Sequence, residues 1–287
     1  MNNTKIITSV FVCYEIEPDS YIKKIKKIGK KLSVEFKGVL IVNNTHHALA
    51  EDDKISSVRG TNKYRDVSGY IEGLKYLTEN GLSSEDSPIF FSNDSLFTRH
   101  SAYGIISSLV LKIGFISELR IPVLAGKVDR YVTVCHQNPW NGMHFFVSTF
   151  AFMINSRAIK YLLSWENYAQ DDEILNNINV ESDEWGNTLP AVLREYFRAH
   201  LIYKYSPMLW QVANISNAKL LNHKAYNIHF EQRLSGMVGK HGSLIPINDS
   251  YIARAKLEIY EFIFRFFSKL FMSDLRKISI IKKKGEL

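Results

Sequence analysis

The sequence predicts an α/β fold, with a mostly parallel sheet flanked by helices. Two observations carry this. Short β-branched runs alternate with amphipathic stretches from residue 5 to 91, a β–α–β–α–β order that right-handed crossovers turn into a parallel sheet. Hydrophobic residues make up 46% of the 287, enough for one large core, while charged residues are only 23%, too few for a disordered chain.

Each element has a local reason. Residues 5–14 read as a buried first strand led by Ile6, Ile7, Val10, Phe11 and Val12. Glu17-Pro18-Asp19-Ser20 follows, with Asp19 or Ser20 as the cap of a helix to residue 32. That helix has Ile22, Ile25 and Ile28 on one face and lysines on the other. Residues 36–42 form a second strand ending in Asn43-Asn44, and a polar, loop-like stretch runs on to Arg59. Val67, Tyr70, Ile71, Leu74 and Leu77 predict a helix over 64–77. Residues 88–91 are a third strand that stops at Ser92-Asn93-Asp94-Ser95. Further on, 128–134 and 145–154 read as strands and 156–163 as a helix. Residues 184–203 read as a helix that tolerates Pro190 near its start. The stretch 205–250 reads as loop-rich, and 252–281 as one or two amphipathic helices.

Composition narrows the function classes. Cys13 and Cys135 sit alone inside apolar runs, so neither a disulfide framework nor a metal spacing is present, and a reducing compartment is expected. The first residues lack the pattern of a secretory signal, and no apolar run approaches the roughly 18 residues of a membrane span. The net charge is +7, and 251–287 hold nine Lys/Arg against four Asp/Glu, so most of the excess sits there. A pI near 9.1 raises the alternative of a non-catalytic nucleic-acid binder, but the charge is confined to one segment and no recognition motif occurs.

Two stretches could carry chemistry. PIFFSNDSLF, residues 88–97, ends a buried strand in a hydrogen-bonding acidic turn. A carboxylate there can hold a divalent cation against a diphosphate, or bind a ribose hydroxyl; it can equally close an Asx-turn or cap a helix. RGTNKYRDVSGYIEGLKYL, residues 59–77, clusters Gly60, Gly69 and Gly73, which permit close approach to a ligand or to another helix. Arg59, Lys63 and Arg65 could meet phosphate, although the pattern is neither a Walker loop nor GxGxxG. Another nucleotide-dependent transferase, such as a nucleotidyltransferase, would need a basic glycine-rich loop after the first strand, where Cys13-Tyr14-Glu15-Ile16-Glu17 stands instead.

The order of apolar strand, Asn-rich turn, Gly-Asn loop, SGYxEGL helix and strand ending Asn-Asp-Ser resembles bacterial GT-A-fold glycosyltransferases of O-antigen and capsule synthesis, including those related to rhamnan-synthesis proteins. The likeness covers roughly residues 5–200. It implies a GT-A-like, Rossmann-type domain over 1–250, with a donor half to about 127 and an acceptor half from 128, and a separate segment 251–287. It also implies transfer from a nucleotide-sugar to a growing, lipid-linked glycan, with inversion, since most such relatives invert. Cys13, Tyr14 and Asn43 would border the nucleoside. Arg59, Gly60 and Asn62 would lie near the base and diphosphate, and Asn93, Asp94 and Ser95 at the diphosphate or its Mn²⁺ or Mg²⁺ ion. The family's DxD-like motif keeps only Asp94 as an acid here, which leaves metal dependence open.

An inverting transferase needs a carboxylate to take the acceptor hydroxyl's proton. The resemblance offers Asp171 or Asp172 in the Asp171-Asp172-Glu173 cluster, or Glu184 in the cluster that begins at Glu181. Each cluster also reads as a capped, solvated turn. His223, His229 or His241 could complete a metal shell or be plain loop histidines. Trp140 could be a sugar platform or a structural aromatic. The basic amphipathic stretch 252–284 fits an anionic membrane surface, implying a cytoplasmic enzyme peripheral to the inner face, or else a helix docked on the domain.

Overall fold

A computed structural model describes residues 4–82, 87–130, 137–175, 182, 184–201 and 218–247. Among them are seven strands: β1 (Lys5–Cys13), β2 (Val34–Val42), β3 (Ile55–Arg59), β4 (Ile89–Asn93), β5 (Val123–Arg130), β6 (Phe145–Ile154) and β7 (Ser243–Pro246). They form one sheet in the order β3-β2-β1-β4-β6-β5-β7. Only β6 runs against its neighbours, pairing antiparallel with both β4 and β5. The sheet is therefore mixed but mostly parallel, as the alternation predicts.

The helices are α1 (Pro18–Leu32), α2 (Asp66–Glu79), α3 (Ser95–Thr98), α4 (Ala102–Glu118), α5 (Ile159–Leu163), α6 (Trp165–Asp171), α7 (Ala191–Leu201) and α8 (Ala218–His241). They cover both faces of the sheet. Along β1, Val10 and Val12 face the layer that includes α2, while Phe11 and Cys13 face the layer that includes α1. Burial on both faces is why this strand reads as a continuous apolar run and not as an alternation. Gly69 and Gly73 let α2 lie close on β1: a Cβ on either would come within 2.8 Å of Val12 or 2.3 Å of Val10. The close approach that these glycines suggest is thus to a strand, not to a ligand or a helix.

Several boundaries differ from the sequence reading. Helix α1 starts at Pro18 with Glu17 as its N-cap, so neither Asp19 nor Ser20 caps it; proline's fixed φ favours the first helical position. The polar stretch before Arg59 contains β3, an edge strand with one fully buried side chain, Ile55, and so a weak apolar signal. Strand β5 begins at Val123, and residues 131–136 lie outside the described residues. Residues 184–190 are turn, and α7 begins immediately after Pro190. The larger miss is α8, which occupies much of the stretch that reads as loop. The amphipathic segment 251–287 lies outside the described residues.

Chain connections leave β1 toward β2 on one side, while β4 pairs on the other. The carboxyl ends of β1 and β4 therefore flank a topological switch point, where an open α/β sheet leaves a crevice.

Candidate functional site

A cavity of about 720 Å³ opens at this switch point. Its floor is built where β4 runs out. Asp94 follows β4 directly, and its Oδ2 accepts the backbone N–H groups of Tyr14 and Glu15, each at 2.6 Å, tying the tip of β4 to the tip of β1. Asn93 Oδ1 accepts the Ser95 N–H at 3.0 Å, and Asn93 Nδ2 donates to Asp66 at the start of α2 at 2.8 Å. The Asx-turn is therefore present, and the same turn lines the cavity. Burial raises the Asp94 carboxyl above its ordinary value, with the two amides pulling against it. Burial also lifts Asp66 to about 6, with Arg65 opposing and the Asp94 charge adding.

Cations and acids both line the cavity. Arg65, Arg99 and Lys224 all line the cavity, and they come from three separate segments: the N-cap of α2, the end of α3, and α8. Arg65 sits over the Tyr14 ring at 5.6 Å. Its backbone carbonyl accepts from Asn43 Nδ2 at 3.2 Å, and its φ of 53° is unusual for a residue with a side chain. Asn62, three residues earlier, has φ 52°. Two such residues in one short loop are a strain of the kind that concentrates at binding sites.

Glu231, about two turns after Lys224 on α8, lines the cavity too. Its Oε1 accepts the Thr149 N–H at 2.7 Å, and the Thr149 carbonyl in turn accepts the Tyr70 hydroxyl at 2.7 Å. Burial drives Glu231 up to about 8, against the Thr149 amide and with the nearby Asp129 charge adding. Glu231 keeps part of its surface open to the cavity. Here is a carboxyl poised to exchange a proton near neutral pH, which is what a general base requires.

Of the residues that the sequence singles out for the donor, Tyr14, Asn62, Asn93, Asp94 and Ser95 line this cavity. Cys13 lies in the core, its thiol pushed up to about 12 by burial. Asn43 is buried and positions Arg65. Arg59 spends its guanidinium on the carbonyls of Asn44 and His47. Gly60 leaves room for Asn43, whose Oδ1 would lie 2.1 Å from a Cβ there.

The proposed acids lie elsewhere. Asp172 bonds His229 Nε2 at 2.8 Å and lies 3.7 Å from Arg233. The other ring nitrogen of His229 accepts the Trp165 indole N–H at 3.0 Å, so both nitrogens are occupied. Burial lowers this imidazole's pKa, which keeps it neutral. Arg233 is sandwiched between the rings of Trp140 and Tyr168, at 4.5 and 4.4 Å. Asp172, the buried His229 and Trp140 thus form one brace outside the cavity lining. Asp171 and Glu184 are exposed, and neither lines it; nor do His223 and His241. Glu181 and Asp183 fall outside the described residues.

A divalent cation wants several hard oxygen ligands together. Asp94 alone is acidic at the β4 tip, and one of its oxygens already takes two N–H bonds. Among the described residues no three His, Cys, Asp or Glu side chains converge as a ligand set. The described residues form no cage of their own, so a Mn²⁺ or Mg²⁺ ion here would share the unpartnered Asp94 Oδ1 with a ligand's phosphates. Among the described residues no helix is long and apolar enough to cross a membrane.

No family model, curated protein or solved structure matches this chain.

Proposed function

We propose that the chain is a glycosyltransferase of the GT-A kind, moving a sugar from a nucleoside diphosphate to a glycan hydroxyl with inversion. One observation carries the reading. At the switch point of a mostly parallel sheet, one cavity is lined by a backbone-clamped carboxylate, by cations from separate segments and by a buried carboxyl raised to about 8.

The donor's diphosphate lies against Arg65, Arg99 and Lys224, and Asp94 holds the donor by its hydroxyl groups. The acceptor enters beside Glu231. Its hydroxyl oxygen attacks the anomeric carbon, Glu231 takes the hydroxyl proton, and the bond from carbon to diphosphate oxygen breaks with its electron pair leaving on the nucleotide. The cations stabilise the charge that develops on the leaving group. The acceptor is a growing, lipid-linked surface glycan, and the enzyme works in the cytoplasm at the inner membrane face. The basic amphipathic pattern of 252–284 supports that location.

The test is acceptor-dependent release of nucleoside diphosphate from UDP-, GDP- and dTDP-sugars, with polyprenyl-diphosphate glycans as acceptors. One donor should be consumed, and Glu231→Gln should lower kcat by about a hundredfold or more. Absence of turnover with every donor, together with salt-sensitive binding of DNA or RNA, would sink the proposal.

A further inference from the structure

We infer that the outer face of the α1–α4 layer docks on an anionic phospholipid bilayer, with Leu111 and Phe115 of α4 entering the lipid and the α1 lysines at its headgroups. The surface belongs to the folded domain, beyond the segment 252–284, and does not need the sugar-transfer chemistry.

Helices α1 and α4 pack side by side on one face of the sheet, and their apolar stripes enter the same core. Their outward faces therefore point the same way. On α1 that face is basic: Lys23, Lys24, Lys26, Lys27, Lys30 and Lys31 are all exposed. Lys26 pairs with Asp52, and none of the other five meets a carboxylate among the described residues. On α4 the face is apolar. Only Lys112 and Glu118 of its 17 residues are charged. Leu111 is 85% exposed, and Phe115, about one turn further on, is 56% exposed. A helix this apolar is ordinarily covered on every side. The two surfaces meet where the Lys31 ammonium lies 5.8 Å from the ring of the half-exposed Tyr103.

Shape and charge select the partner. The residues three or four positions from Leu111 include Gly104's neighbours Ser107 and Ser108, and Gly114, all small. Leu111 and Phe115 thus stand as knobs, not as walls of a groove. A bilayer accepts such knobs without a matching pocket, and its phosphates attract the lysines beside them. Tyr103 suits the boundary between water and lipid, where amphipathic rings collect. A twofold contact with a second copy would set α1 lysines against α1 lysines. The acids of the two helices, Asp19 and Glu118, lie at the start of α1 and the end of α4. Ile245 and Ile247 are buried in the same core, and the sequence that follows, 251–287, adds nine Lys/Arg against four Asp/Glu.

The experiment uses the full chain carrying a polarity-sensitive fluorophore on Leu111→Cys, or on Glu79→Cys of α2 as a control on the other face of the sheet. Cys13 is buried, and Cys135→Ser removes the other thiol. Vesicles are phosphatidylcholine alone, or phosphatidylcholine and phosphatidylglycerol in equal parts. The mixed vesicles should blue-shift the probe at 111 and let brominated lipid quench it, while the probe at 79 stays unchanged. Neutral vesicles should do neither. In flotation, Leu111→Ser with Phe115→Ser should weaken binding to mixed vesicles by about tenfold or more. Lys27→Glu with Lys30→Glu should weaken it by about the same factor. Absence of binding to mixed vesicles overturns the inference. Binding without any change at position 111 also overturns it, because 251–287 alone then holds the lipid. A probe at 111 already shielded before vesicles are added overturns it too: the face is then covered by 251–287 or by a second copy, which sedimentation velocity tells apart. Both labelled positions are exposed, so the probe displaces no core side chain. No nucleotide-sugar enters the assay, so each of these failures leaves the transferase reading standing.

Discussion

Glu231 gives the sharpest test, because its burial ties stability and the proposed proton transfer to one group. In the fold its carboxyl titrates near 8, against 4.5 when unburied. Between these values the folded chain holds a proton that the unfolded chain has released. A carboxyl shifted upward destabilises as pH rises: the contribution is neutral below about 4.5, declines through the window, and reaches its full cost above about 8. At about 1.4 kcal/mol per pH unit, the gap sets an upper bound of about 5 kcal/mol. Water in the cavity reaches part of Glu231 and screens its charge, so we expect about 2 kcal/mol. Glu231→Gln keeps an oxygen for the Thr149 N–H and carries no charge. Urea unfolding of both proteins across the window should show the variant gaining on the parent by about 2 kcal/mol toward pH 8. The same variant should have lost turnover, while parental kcat climbs with pH toward 8. A variant whose stability tracks the parent at every pH would refute the claim that this carboxyl is protonated in the fold.

Other perturbations separate the parts of the molecule. Gly73→Ala should destabilise by about 1–3 kcal/mol in urea unfolding, because its Cβ would meet Val10 at 2.3 Å in a fully packed layer. Asp94→Ala leaves the Tyr14 and Glu15 amides without their acceptor; we expect about 1–3 kcal/mol lost and nucleotide binding abolished by calorimetry. Asp172→Ala should cost about 1–3 kcal/mol by releasing His229 and Arg233 from the brace, with kcat near the parental value once folded. Glu184→Gln should leave both stability and turnover unchanged, since its side chain is exposed and outside the cavity.

The legible part of the chain is the part whose partners lie close in sequence or whose burial is uniform. Strands β1, β2, β4 and β6 announce themselves because both of their faces are covered, which demands unbroken apolar runs. Helix α2 shows its stripe of Val67, Tyr70, Ile71, Leu74 and Leu77 because one face meets the sheet. The turn at Asn93-Asp94-Ser95 is visible for a local reason too: a polar trio after a buried strand. Edge strand β3 has little to bury and so leaves little trace.

Helix α8 hides for a different reason. It buries His229, Gln232 and Ser235, polar residues that belong in a core only when something distant satisfies them. Trp165 and Asp172 serve His229, Val147 donates its amide to Ser235, and Asn138 Nδ2 donates to the main-chain carbonyl of Gln232. None of these partners is near α8 in sequence, so periodicity alone cannot find the helix. The acids follow the same rule. Clusters at 171–173 and 181–184 stand out along the chain, yet Asp172 is consumed by the brace and Glu184 faces solvent. Glu231 stands out only when α8 is laid against β6. Sequence by itself determined the alternating strands and helices, and the acidic tip of β4, because these follow from local periodicity and turn chemistry. Tertiary structure alone decided which carboxyl faces the cavity and which cations gather beside it, because burial and charge proximity are properties of residues brought together from far along the chain.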